Sequence, residues 1–163
     1  EKSKLGPQTL LYPMPAVLVG AMVGEKPDPE KIRHTLKGIK EHDTFSINVP
    51  STTIAKQVDY CGIYSGKKRD KSELFNVFFG VLKTAPLIQE CAVNLECQVI
   101  HTLDLKSHEL VIGEIIETYV TKDCVTDEKP DPEKIDPLIY TPGVMQYQRL
   151  GEIVGKAFHM GKD

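Results

Sequence analysis

Apolar and polar positions along the chain follow two rhythms, and together they predict a mainly β protein with a few short flanking helices. Ala16 to Val23 (AVLVGAMV) is apolar at nearly every position, the pattern of a buried strand. In Arg33 to His42, Leu36 and Ile39 share one side and charges fill the rest, which predicts a short amphipathic helix. Thr44 to Val49 alternates, with Phe45, Ile47 and Val49 facing one way and Ser46 and Asn48 the other, so it reads as a strand. Pro50 and Ser51 then open a second helix. Ser51 or Thr52 is its N-cap, Ile54, Ala55 and Val58 form its apolar face, and it ends near Cys61 and Gly62.

The polar stretch IYSGKKRDKSE predicts a loop, and Val77 to Leu82 a short apolar strand. The clearest signal follows. In VNLECQVIHTL, Val93, Leu95, Cys97 and Val99 alternate with Asn94, Glu96 and Gln98. After the turn-like DLKS, the stretch HELVIGEIIETYV is β-rich and apolar on both faces. The two predict a long antiparallel hairpin joined at Asp104 to Ser107. Tyr140 and Met145 to Leu150 supply a last short strand or two. Many strands with few helices indicate a small β barrel.

One octapeptide interrupts this order. EKPDPEKI occupies Glu25 to Ile32 and recurs unchanged from Glu128 to Ile135. Two copies in unlike surroundings do not make a solenoid, which needs a fixed period over several units. With two prolines and alternating charges the segment is a poor strand and a poor helix interior, so it predicts an exposed connection. The second copy lies within TKDCVTDEKPDPEKIDPLIY, which is polar, Pro-rich and loop-like throughout. The first follows a strand directly and runs into RHTLKGIKEH.

Composition narrows the function. A chain of 163 residues with 40% hydrophobic residues predicts a single domain, residues 1–163, with a real core. The net charge of −3 argues against a nucleic-acid binder working through a basic surface. The longest apolar run is too short to span a bilayer, and the start, EKSKLGPQTL, has no apolar core of the signal-peptide kind, so a soluble cytoplasmic protein is expected. The four cysteines have no CxxC pair, which argues against a zinc site, and no metal ligands are assigned. Reduced, mostly buried thiols are the plain reading; a redox or iron-binding thiol is the alternative, with Cys61 in the most suggestive context.

No nucleophile–base motif stands out, and no catalytic residue is assigned. Polar clusters suited to an anion do stand out. Arg33 to Thr35 lies at a helix start, where free amides and the helix dipole favour a phosphate. The loop SGKKRDK, Ser65 to Lys71, offers a hydroxyl, a glycine for close backbone approach and four cationic side chains. His108 sits at the turn end of the hairpin's second strand, where it could donate to a ligand carbonyl or phosphate. Each also has an ordinary reading: a solvated basic loop, the surface of a helix, an exposed turn histidine.

Taken in order, LLYPMPAVLVGA, RHTLKGIKEHDTFSINVPS, DYCGIYSGKKRDKSE, SHELVIGEI, DPLIYTPGVMQYQRLGE and VGKAF resemble the flavin reductase-like family, and more narrowly the flavoredoxins. The resemblance covers nearly the whole chain, and DYCG…SG…DK is its most specific part. It implies a homodimeric FMN-binding split barrel, an antiparallel Greek-key architecture. It also implies roles for seven residues. Thr35 would bind the FMN phosphate region with Arg33 beside it, and Lys71 would contact phosphate or the polar edge of the flavin. Ser65 and Gly66 would shape that loop, His108 would hydrogen-bond the cofactor, and Tyr140 would pack near the isoalloxazine.

The chain also departs from the family. Members carry an Asn-x-Met-Thr-like strand with a nearby Trp, then a second strand, between the first strand and the RHT segment. Here there is no Trp at all, and EKPDPEKI stands in place of roughly 25 residues of strand and loop. An internal deletion or replacement at Glu25–Ile32 follows, and with it an incomplete or rearranged barrel whose exposed edges a partner subunit would cover.

Two functions are compatible with this. One is an FMN electron carrier or NAD(P)H-dependent flavin reductase-like oxidoreductase, moving electrons between a reduced nicotinamide or protein donor and an acceptor. The other is a non-catalytic binding or structural split-barrel protein that has lost its flavin.

Overall fold

The computed structural model describes Lys4 and residues 13–24, 26–29, 32–64 and 74–162; of 26–29 and 32–34 it describes the backbone. The elements in chain order are β1 (Met14–Pro15), β2 (Leu18–Val23), β3 (Lys26–Pro29), α1 (Ile32–His42), β4 (Thr44–Val49) and α2 (Ala55–Ile63). Then come β5 (Val77–Phe78), β6 (Leu87–Ile88), β7 (Val93–Asp104), β8 (Glu109–Val120), β9 (Val125–Thr126) and β10 (Lys129–Pro130). The last are α3 (Pro132–Ile135), β11 (Ile139–Thr141) and β12 (Gln146–Gln148).

The main sheet has the order β3-β2-β4-β7-β8, antiparallel throughout. Its backbone is the β7–β8 hairpin, which the alternation in 93–99 and 109–120 predicts and whose turn falls at 105–108. β4 matches its predicted span, residue for residue. Smaller antiparallel sheets are β1-β11-β12, β5-β6 and β9-β10.

Both faces of the main sheet are packed around its β2 and β4 strands. On one, Ala21, Phe45 and Cys97 pack with Ile39 of α1. Gly38 lets α1 press on β2, because a side chain there would run into the backbone carbonyl of Met22. On the other face, Leu18 joins Val58 and Cys61 of α2, Ile88 of β6, and Leu138. This second layer changes the meaning of the polar positions on β4. Ser46 and Asn48 do not face water; both are fully buried and must find partners inside.

The octapeptide departs from expectation at both copies. Lys26–Pro29 is not a linker: its backbone pairs with β2, with Gly20 opposite Pro29 and Val23 opposite Lys26. The prolines are tolerated because, among the described residues, β3 is an edge strand with no neighbour on its outer side to need their missing N–H. Gly24, at φ +62°, supplies the left-handed turn between β2 and β3. In the second copy the same sequence takes another form. Asp127 and Glu128, both at positive φ, make a tight hairpin turn, and Lys129–Pro130 pairs back to β9. Asp131 then caps α3, accepting from the backbone N–H groups of Glu133 and Lys134, and Ile135 is buried.

Two smaller predictions also change. Ser51 precedes a 3-10 turn, Thr52–Ile54, that leads into α2, and its hydroxyl meets the Thr53 hydroxyl at 2.5 Å instead of capping a backbone amide. The strand predicted over Val77–Leu82 ends at Phe78, because the next residues turn toward a buried carboxylate.

Candidate functional site

Of the seven residues singled out in the sequence, Thr35, His108 and Tyr140 can be placed in full. Arg33 lies in the first turn of α1 with only its backbone described. Ser65, Gly66 and Lys71 lie outside the described residues.

Thr35 sits one turn into α1 and is 2% exposed. The far end of the same helix reaches the hairpin tip: Lys40 Nζ lies 2.7 Å from Glu109 Oε1, at the first residue of β8. The neighbouring residue is His108. Its ring is exposed, and its Nδ1 is 3.0 Å from Ser107 Oγ. Thr35 and Lys40 are separated by a helical rise of about 7.5 Å, so α1 connects the Thr35 region to the His108 corner.

Tyr140 belongs to a different part of the fold. It is half-buried on β11, directly opposite Tyr147 of β12, with ring centroids 5.7 Å apart. Tyr147 donates to Asp59 Oδ1 on α2 at 3.2 Å. Burial, and then the Asp59 charge, push the Tyr147 phenol upward. α2 ends at Ile63, so the tyrosine pair is tied to this helix through Asp59. The small sheet is tied down at its other end by Arg149, which donates to Asp136 Oδ2 at 2.9 Å and to Thr52 Oγ1 at 2.8 Å.

On β4 and β7 lies a buried polar network that the sequence pattern did not single out. Asn48 Oδ1 accepts from the Ile88 N–H at 3.0 Å and from Asn94 Nδ2 at 2.8 Å, while Asn48 Nδ2 donates to the Leu18 carbonyl at 3.1 Å. Ser46 donates to the Pro86 carbonyl. Glu96 is fully buried and accepts from the N–H groups of Val81 and Leu82, each at 2.9 Å, and from Tyr119 Oη at 3.1 Å. Burial, with the hydrogen bond to Glu96, pushes the Tyr119 phenol up. Gly80 is required here, because a side chain at that position would run into Tyr119 and Glu96. The signal was the regular placement of Asn94 and Glu96 on β7, but alternation marks a polar face without saying whether water or protein covers it.

Three of the four cysteines are buried, and the Cys91 thiol is pushed up to about 12 by burial and by the nearby Glu90 charge. Among the described residues no cluster of His, Cys, Asp or Glu could hold a metal ion, and no helix is long and apolar enough to cross a membrane.

This mainly β architecture, with antiparallel sheets and few short helices, is that of the flavin reductase-like split barrels. The chain belongs to that family: the family described as "Flavin reductase like domain" matches residues 9–149. It is similar to the flavoredoxin of Methanosarcina acetivorans, with 39% identity and a TM-score of 0.93 over 99% of this chain and 98% of that one. It is also similar to the flavoredoxin of Desulfovibrio vulgaris (Miyazaki F), with 32% identity and a TM-score of 0.91 over 99% of this chain and 100% of that one. An uncharacterized protein of Archaeoglobus fulgidus is 35% identical over 117 residues, which are 70% of this chain and 62% of that protein. The chain thus spans less than two thirds of the length of that curated relative.

Proposed function

We propose that this chain is a cytoplasmic, homodimeric FMN-binding flavoprotein of the flavoredoxin type. It passes electrons between a reduced nicotinamide or protein donor and an acceptor. The observation that carries this is the similarity to a flavoredoxin at 39% identity with a TM-score of 0.93 across nearly the full length of both chains. When bound, FMN supplies the redox chemistry; the protein supplies binding, orientation and shielding.

The side chains suit that cofactor. The imidazole of His108 offers a donor to a polar flavin edge or phosphate. The Tyr140–Tyr147 pair offers an aromatic surface for a flat ring system. The start of α1, at Ile32 to Thr35, offers helix-terminal amides to a phosphate.

A second reading is favoured by one observation: the edge strand Lys26–Pro29 is short and Pro-rich, where the family resemblance implies longer strands of the flavin pocket. In that reading the chain is a flavin-free binding domain. Purification followed by an absorbance spectrum separates the two. A yellow protein with flavin bands, or one that becomes so on adding FMN, supports the electron carrier. A colourless protein that takes up no FMN supports the binding domain.

A further inference from the structure

The segment after β5 is fastened to the main sheet in two unlike halves. Residues 85–88 are held by burial and by neutral side chains. Ala85 and Leu87 are fully buried and Ile88 nearly so. The Ile88 N–H donates to Asn48 Oδ1 at 3.0 Å, and its carbonyl receives Asn94 Nδ2 at 2.9 Å. Residues 79–84 bury no side chain completely. Phe79 is 39% and Val81 61% exposed, Lys83 is exposed, and Leu82 and Thr84 are half-buried.

This outer half hangs between two fixed points. Before it, Phe78 pairs with Leu87 and meets the Tyr119 ring edge-on, with centroids 6.0 Å apart. After it comes the buried Ala85. Some of its bonds are internal: Lys83 Nζ donates to the Gly80 carbonyl at 2.6 Å, and the Ala85 N–H to that of Leu82 at 3.3 Å. Among the described residues, its bonds to the sheet are those to Glu96, one to Tyr119 Oη from the Val81 N–H at 3.2 Å, and a Thr84–Thr44 hydroxyl contact at 2.7 Å. Lifting it would uncover Glu96, the Tyr119 hydroxyl and Thr44, all polar, so little apolar burial opposes the motion.

The Glu96 carboxylate is therefore the main latch. Val81 N–H and Tyr119 Oη converge on its Oε2, and Leu82 N–H on its Oε1. Three donors suit an ionised carboxylate, which only accepts. Protonation would put an O–H among them and remove the charge that roughly doubles the strength of each bond. The surroundings supply no other answer to the charge. Opposite Glu96 on β4 is the neutral Ser46, and opposite it on β8 is the like-charged Glu117. The flap's one cation, Lys83, is turned to the Gly80 carbonyl.

We propose that residues 79–84 form a flap latched by the ionised Glu96 carboxylate, and that acid opens it locally while the rest of the fold stays closed.

The test is amide hydrogen exchange of the full chain, followed by NMR and expressed as protection factors so that the intrinsic pH dependence of exchange cancels. Between about pH 7 and about pH 4, where carboxylates begin to titrate, protection at Val81 and Leu82 is expected to fall about tenfold, the loss of charge assistance at two bonds. Ile88, whose acceptor is the neutral Asn48, and the amides of β4 are expected to keep theirs. In Glu96→Gln the protection at Val81 and Leu82 should be low at both pH values. Constant protection at Val81 and Leu82, a fall shared equally by Ile88 and β4, or an acid-dependent fall that survives in Glu96→Gln would overturn the latch. Should that variant fail to fold, the carboxyl carbon resonance of Glu96 in the parent chain decides. Its titration midpoint is expected to coincide with that of the flap opening, and separate midpoints would overturn the proposal.

Discussion

Tyr119 Oη donates to the fully buried carboxylate of Glu96 at 3.1 Å, across the β7–β8 ladder. The same carboxylate receives the N–H groups of Val81 and Leu82. One acidic side chain thereby fixes the loop after β5 to the central hairpin. Without it, two backbone donors would be left without the acceptor they have in the fold.

Glu96→Gln keeps the shape and removes one of the two acceptor oxygens. It also brings an amide N–H₂ against a donor. It is expected to lower stability by about 2–3 kcal/mol, read as a drop in urea midpoint with an unchanged slope. A midpoint within error of the parent would show that the carboxylate does not hold the loop.

Alkaline stability follows from Tyr119 and Tyr147. Both phenols are raised in the folded protein, first by burial. An acid whose folded pKa lies above its unfolded one contributes stability that is intact below the unfolded value and is lost as pH rises beyond it. Stability is therefore expected to be flat through neutral pH and to fall above about pH 10. Tyr119→Phe should make that fall shallower. Urea midpoints taken across the alkaline range check this, and an identical slope for the variant would contradict it.

Thiol reactivity gives an independent check of the core. Cys91 is buried with its thiol pushed up to about 12, and Cys61 and Cys97 are buried with it, while Cys124 is half-exposed. Alkylation of the native protein near neutral pH is expected to label Cys124 first, with the others reacting only on unfolding. Mass spectrometry of labelled peptides reads the order. Rapid labelling of Cys91 would mean that the layer around Ile88 and Leu138 opens readily.

The larger elements were legible because their periodicity is long. Thr44–Val49 and the two hairpin strands repeat every second residue over enough positions to leave no competing reading. The octapeptide was not legible, for the opposite reason. KPDP is a poor strand by propensity, yet the free edge of β2 recruits it. The same eight residues around Asp131 instead make a turn and a capped helix. Tertiary context outweighs local preference in a segment this short. The positions of some candidate residues were legible. His108 stands at the hairpin tip as its position predicted, and Tyr140 gains a meaning the sequence did not carry, because Tyr147 lies beside it only once β11 and β12 pair.

His108 and Lys71 separate a ligand role from a surface role. If FMN binds, Lys71→Ala is expected to weaken it by about 1.5–3 kcal/mol, the range of a charge-assisted contact, whereas Lys67→Ala should leave it nearly unchanged. His108→Ala should cost about 1 kcal/mol, a single neutral hydrogen bond. Calorimetric titration ranks the three variants. Equal affinities for the two lysine variants would remove Lys71 from the site.

The measurement that bears most directly on the whole account is a fluorescence titration of flavin-stripped protein with FMN. A flavoredoxin-type chain is expected to quench flavin fluorescence saturably and stoichiometrically, with the shifted absorbance bands of a bound isoalloxazine. A titration that stays linear to the highest protein concentration, on a chain shown to be folded, would contradict the proposed function.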